Sequence, residues 1–193
     1  MHFECARIGF LTRQYIMNLR ETFYFIVGLF DAPKRAFGLL AVVPIMLLSF
    51  GLYLQHVVGL EPCPMCIVQR YVMLIMMMWA LAMAFLGSQG HWTARMGFFF
   101  YAVFGVCGAY VAARQSWLQW YPPEVVSCGR DFYGMIETFP LKRAIPMIFK
   151  GGGDCSAVDW TFLGGSIANW SFVAFTVLAL LSLALLLKQR SRG

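Results

Sequence analysis

The sequence predicts an all-α fold, an integral membrane four-helix bundle with a long outer loop between helices three and four that has room for a short surface helix. Two properties of the chain carry that expectation. Hydrophobic residues make up 60% of its 193 residues and charged residues only 12%, with a mean hydropathy of +0.68, outside the usual composition of a soluble domain. Four stretches, 37–54, 67–86, 96–113 and 170–187, also approach the roughly 20 apolar residues needed to cross a hydrocarbon core of ~30 Å.

Taken in order, residues 1–36 form an N-terminal segment in which Tyr15 to Phe30 is apolar and partly basic, as expected of a helix lying on the cytoplasmic membrane surface. Met17 offers an alternative translation start within it. No cleavable signal peptide is expected, because the first long apolar run begins late and leads into no small-residue cleavage site. Residues 37–187 form the four-span domain, with residues 114–169 as its outer loop and residues 188–193 as a short tail.

Charge sets the orientation. The two termini and the short connection after helix two carry Arg7, Arg13, Arg20, Lys34, Arg35, Arg95, Lys188, Arg190 and Arg192 against Glu4, Glu21 and Asp31. The opposite side is balanced, so the whole net charge of +6 lies on one face. The positive-inside bias assigns that face, with both termini, to the cytoplasm. The basic character therefore reports topology and gives no reason to invoke nucleic acid.

Orientation sorts the cysteines, since disulfides persist on the outer side and thiols stay reduced inside. Cys63, Cys66, Cys128 and Cys155 fall outside; Cys5 lies on the cytoplasmic tail and Cys107 within the third span, where a small packing role is expected. The outer loop is far longer than the ~12–15 residues at which a structureless connection becomes unusual. It carries Cys128 and Cys155, a Tyr121-Pro122-Pro123 breaker, and Gly151 to Gly153 just before Cys155, a pattern expected of a mobile carrier. Between the cysteines, Met135 to Phe149 mixes apolar residues with Lys142 and Arg143, as a surface segment would, although Pro140 and Pro146 limit any helix to about two turns. Trp117, Trp120, Tyr121, Trp160 and Trp170 are expected interfacial anchors.

Cys63-Pro64-Met65-Cys66 stands directly before the second apolar run. Such a pair can close a small disulfide or hold a metal, and only the thiolate is nucleophilic. Pro64 suits the first position of a helix, which puts Cys66 in its first turn, where free backbone N–H groups and the positive end of the helix dipole favour an anion. Arg70 follows at i+4 on the same face. It could snorkel to the interface, or it could stabilise a reduced anionic acceptor beside the thiols. Neither a second C-x-x-C nor a nearby His pair completes a zinc site, and Ile67 instead of His after Cys66 excludes haem attachment. Cys128 and Cys155 could form a structural disulfide worth roughly 3–4 kcal/mol or supply electrons to the C-x-x-C.

Gln55-His56, Glu61 to Arg70, Leu118 to Pro122, Ser127-Cys128, Gly153 to Cys155 and Trp160 to Gly164 together resemble the DsbB family, bacterial inner-membrane proteins that reoxidise the periplasmic thiol oxidase DsbA. Vitamin K epoxide reductase relatives share the bundle logic, but their C-x-x-C follows the loop pair in the chain instead of preceding it. The resemblance implies that Cys128 meets a periplasmic DsbA-like partner and that Cys155 passes electrons to the Cys63–Cys66 disulfide. It further implies that Cys66 delivers them to a quinone, ubiquinone or menaquinone, drawn from the membrane pool and held with the help of Arg70. Two rival readings remain open at this point: an oxidase dedicated to one specialised partner, and a non-enzymatic scaffold with a structural disulfide.

Overall fold

The computed structural model describes residues 32–86, 90–122, 146, 153–156, 158 and 160–191. Four long helices dominate it: α1 (Pro33–His56), α2 (Pro64–Leu86), α3 (His91–Trp120) and α5 (Ile167–Ser191). A single helical turn, α4 (Gly153–Ser156), and a small hairpin of β1 (Thr161–Phe162) and β2 (Gly165–Ser166) lie between α3 and α5. Residues 1–31 of the N-terminal segment, with Cys5, as well as Cys128 and, Pro146 apart, the surface segment expected between Met135 and Phe149, lie outside the described residues, while the last residues of that N-terminal segment already belong to α1.

Each long helix is apolar enough over 22 to 30 residues to cross a membrane. Their outward faces confirm the solvent they are built for: Met46, Met78, Val106 and Leu180 are all exposed, and helices that are apolar on every side belong in lipid. The bundle is a multi-pass membrane fold.

Proline and small residues shape the helices. Pro33 occupies the first turn of α1, where its missing N–H costs nothing. Ala36, Phe37, Leu40, Ala41 and Pro44 then recur at helical spacing to form the buried stripe. Lipid supplies no hydrophobic drive between helices, so cohesion comes from close packing and interhelical hydrogen bonds. Phe37 of α1 stacks on Phe98 of α3 at 4.3 Å between ring centroids. Tyr101 Oη donates to the Leu40 carbonyl at 2.8 Å, Ser182 Oγ to the Phe98 carbonyl at 2.8 Å, and Trp79 Nε1 to the Gly97 carbonyl at 3.0 Å. Together these tie α3 to α1, α5 and α2.

The closest packing is between α3 and α5. It depends on Gly108, where an added Cβ would stand 2.4 Å from the Phe175 ring, and on Gly105, where it would stand 3.0 Å from the Ala179 Cβ. α1 and α5 approach each other less closely.

Two features extend the sequence expectations. α3 continues to Trp120, past the apolar stretch that ends at 113, and this carries Gln115 and Gln119 on helical backbone. The hairpin adds a minimal sheet in which Thr161 pairs with Ser166 and Phe162 with Gly165. Leu163 and Gly164 form its two-residue turn with φ of 50° and 79°, the positive values that a twisted hairpin requires. The turn is docked by its neighbours: Trp170 Nε1 donates to the Phe162 carbonyl at 2.9 Å, and Trp160 stacks on Phe162 while meeting Phe50 of α1 edge-on.

Candidate functional site

The site forms where α2 begins. Cys63 immediately precedes the helix, and its sulfur accepts the Cys66 backbone N–H at 3.3 Å, as a capping side chain does. One of the first-turn N–H groups of α2 is thus turned toward sulfur. The side chains of Cys63 and Cys66 bring their Sγ atoms to 2.8 Å, a displacement of less than about 1 Å from a bonded pair. Cys63 is buried and Cys66 half-buried.

The turn α4 brings a third sulfur to this pair. Cys155, 1% exposed, packs with Cys63, Met65, Val111 and Leu118 in one apolar cluster. The carrier expected to be mobile is thus docked at Cys155. Hydrogen bonding with Cys155, then with Cys66, together with burial, pushes the Cys63 thiol well above the ordinary range. Cys63 thus has two sulfur neighbours, Cys155 in the apolar cluster and Cys66 within the C-x-x-C.

Two glutamines complete the sulfur environment. Gln115 of α3 donates from Nε2 to Cys63 Sγ and to Cys66 Sγ, each at 3.2 Å. Gln69 of α2 donates to Gln115 Oε1 at 2.6 Å. Both are 3% exposed. Sequence reasoning did not single them out as partners of the thiols: they are 46 residues apart, and only the sheer oddity of glutamine in apolar helices could have flagged them.

Arg70 lies one turn beyond Cys66 and points back toward α1. It donates from Nη1 to Gln55 Oε1 and from Nη2 to the Gly51 carbonyl at 3.0 Å. Cys66, Gln69, Arg70, Gln115 and Gln119 line a cavity of about 110 Å³. Through Gly51, Leu54, Met73 and Trp160 it shares walls with a cavity of about 570 Å³ between α1 and α5, whose lining is almost wholly apolar and includes Phe50, Phe162 and Trp170. Cys107 is exposed on the outward face of α3 instead of packed, and His56 is exposed beyond the cavity.

Comparison with known proteins adds an independent line. The model of the family described as disulfide bond formation protein DsbB matches residues 33–185. A disulfide bond formation protein B of Albidiferax ferrireducens is 60% identical over 176 residues, covering 89% of this chain and 98% of that protein. One of Polaromonas naphthalenivorans is 62% identical over 160 residues, 83% of this chain and 95% of its own length. One of an Azoarcus species is 51% identical over 146 residues, 76% and 87% respectively. A family match that reaches from the first span into the fourth, and identity of this order over most of both chains, leave one conclusion: the chain belongs to the DsbB family of disulfide bond formation proteins.

Proposed function

We propose that this membrane protein is a thiol:quinone oxidoreductase of the bacterial inner membrane that reoxidises a periplasmic DsbA-type thiol oxidase. Both termini are cytoplasmic and the redox cysteines periplasmic, in keeping with the charge asymmetry. The observation that carries the reading is the grouping of three sulfurs, in which Cys63 packs with Cys155 and lies beside Cys66 while Cys66 shares a cavity with Arg70.

The relay begins with Cys128 and Cys155 as a disulfide. A thiolate of the reduced partner attacks Cys128 Sγ, forming the mixed disulfide and expelling Cys155 as thiolate. The partner's second thiolate then breaks that mixed disulfide, so the partner leaves oxidised and Cys128 is freed. Cys155 attacks Cys63 Sγ, its neighbour in the apolar cluster, and the Cys63–Cys66 bond breaks with Cys66 leaving as thiolate. Cys128 in turn displaces Cys63 from Cys155, which restores the outer disulfide. The Cys63 and Cys66 sulfurs now hold the two electrons, and the two protons given up by the partner's thiols go with them to the acceptor. Each exchange requires an exposed or docked thiolate and a disulfide within reach.

The cavity residues fit a quinone. Arg70 and Cys66 form a polar end suited to ring oxygens, and the walls between α1 and α5 are suited to an isoprenoid tail. A bound quinone supplies an acceptor for two electrons and two protons. Arg70 is fixed by Gln55 and Gly51 with its guanidinium toward that end, where a cation stabilises developing negative charge. Because about 30 mV corresponds to 1.4 kcal/mol for a two-electron couple, a quinone of high potential can drive an otherwise unfavourable disulfide transfer.

The test is turnover by the purified full chain of a reduced DsbA-type protein with a short-chain quinone, followed by loss of quinone absorbance. Turnover abolished by Cys63→Ser, Cys66→Ser, Cys128→Ser or Cys155→Ser is the expected result. Wild-type protein that oxidises no such partner, with all four outer cysteines remaining oxidised, would return the chain to a scaffold role.

A further inference from the structure

We propose that Gln115 is a catalytic residue of the relay and Gln69 its positioning residue: the Gln115 amide, clamped by Gln69, is the donor that stabilises the reduced Cys63–Cys66 pair over its disulfide. This rests on the reading of that pair as the electron carrier.

An amide group has two N–H donors on one side and a carbonyl acceptor on the other. Gln69 Nε2 occupies the Gln115 carbonyl at 2.6 Å, so the Gln115 NH₂ is the part that faces sulfur, 3.2 Å from both Cys63 and Cys66. Both glutamines are buried in helices otherwise made for lipid. Burying a pair of amides there is costly unless every polar group finds a partner. Two sulfurs are poor partners when bonded to each other and good ones when reduced, since donors to an ionised acceptor form hydrogen bonds about twice as strong as neutral ones. The donor therefore favours the reduced state selectively. Its position between the two sulfurs lets one group serve whichever of them is expelled during exchange.

The amide also comes from a different helix than the thiols it serves. Gln115 stands on the part of α3 beyond the apolar stretch, and Gln69 stands one turn after the C-x-x-C on α2. A purely structural bridge between α2 and α3 would satisfy the amides and leave the sulfurs out. The paired 3.2 Å contacts to both sulfurs are what distinguish this arrangement.

The experiment equilibrates the full-length protein in detergent with graded ratios of reduced to oxidised dithiothreitol. The fraction of Cys63–Cys66 disulfide is then read by alkylation and peptide mass spectrometry. Gln115→Met, which keeps length and removes the donor, is expected to make the pair about tenfold harder to reduce, a midpoint lower by about 30 mV for a two-electron couple. Gln69→Met, which unclamps the amide without removing it, is expected to shift the equilibrium about threefold in the same direction. A midpoint within twofold of wild type in folded Gln115→Met overturns the proposal and leaves the amides as an interhelical bridge. If Gln115→Met does not fold, an unmoved midpoint in Gln69→Met overturns it equally. Quinone turnover is measured separately. A shifted midpoint in a protein that reduces no quinone sinks the electron-relay reading alone, whereas normal quinone turnover with an unmoved midpoint sinks only the amide proposal.

Discussion

Arg70 of α2 reaches across to α1, where its Nη2 donates to the Gly51 carbonyl at 3.0 Å. Its other terminal nitrogen is taken by Gln55, so the guanidinium is held at the cavity between helices instead of extending freely to the interface. A charge-assisted hydrogen bond is worth about 1.5–3 kcal/mol. Arg70→Ala is therefore expected to raise the quinone KM by about tenfold or more while membrane insertion and helix content stay unchanged. Unaltered quinone kinetics would leave Arg70 with an interfacial role only.

The docking of Cys155 against Cys63 gives a trapping prediction. In Cys155→Ser the Cys128 thiol has no disulfide partner of its own, so its thiolate is expected to attack the disulfide of the oxidised partner, releasing one partner thiol; once that thiol is alkylated, the mixed disulfide with Cys128 runs as a higher-mass band on a non-reducing gel. Failure to trap it would move the partner-facing role away from Cys128.

The pH behaviour of Cys63 separates the reduced protein from the oxidised one. Contact with Cys155 and Cys66 and burial raise its folded pKa, while in the unfolded chain a thiol loses its proton near pH 8.5. Above that pH the folded state binds more protons at this position than the unfolded state, so stability contributed by Cys63 falls as pH rises. The reduced protein is expected to lose stability between pH 9 and 10.5 with a slope of up to about 1.4 kcal/mol per pH unit. The protein with Cys63 in a disulfide is expected to lack that component. Melting curves of both forms in the same detergent across this range check it; parallel curves would contradict a buried, protonated Cys63.

Packing between α3 and α5 yields a stability pair. Alanine at Gly108 would place its Cβ against the Phe175 ring, and overpacking of this kind typically costs about 1–3 kcal/mol. Alanine at Gly38 of α1 meets nothing within 4 Å and gains up to about 1 kcal/mol of helix propensity. Gly108→Ala is expected to melt below the wild type and Gly38→Ala at or above it. The reverse order would show that α3 and α5 do not approach as closely as described.

Much of the architecture was legible because membrane spanning is a local demand: some 20 consecutive apolar residues satisfy it regardless of what lies elsewhere in the chain. The Cys63, Cys66 and Arg70 grouping was legible for the same reason, since about one helical turn separates each from the next. The small hairpin was not foreseen, because its turn uses Leu163 at positive φ, which Leu rarely adopts and which the surrounding Trp160 and Trp170 contacts hold in place.

From its residues alone, then, this chain determined four spans, a charge distributed asymmetrically about them, and a dithiol at the start of a helix with a cation one turn away. Only the tertiary structure decided that Cys155 meets Cys63, that Gln115 from α3 faces both sulfurs with Gln69 behind it, and that Arg70 is anchored on α1. Periodicity records what neighbours within a few residues share. Contacts between residues 15 to 92 positions apart depend on how whole helices pack, and that is set by small residues such as Gly105 and Gly108 letting backbones approach.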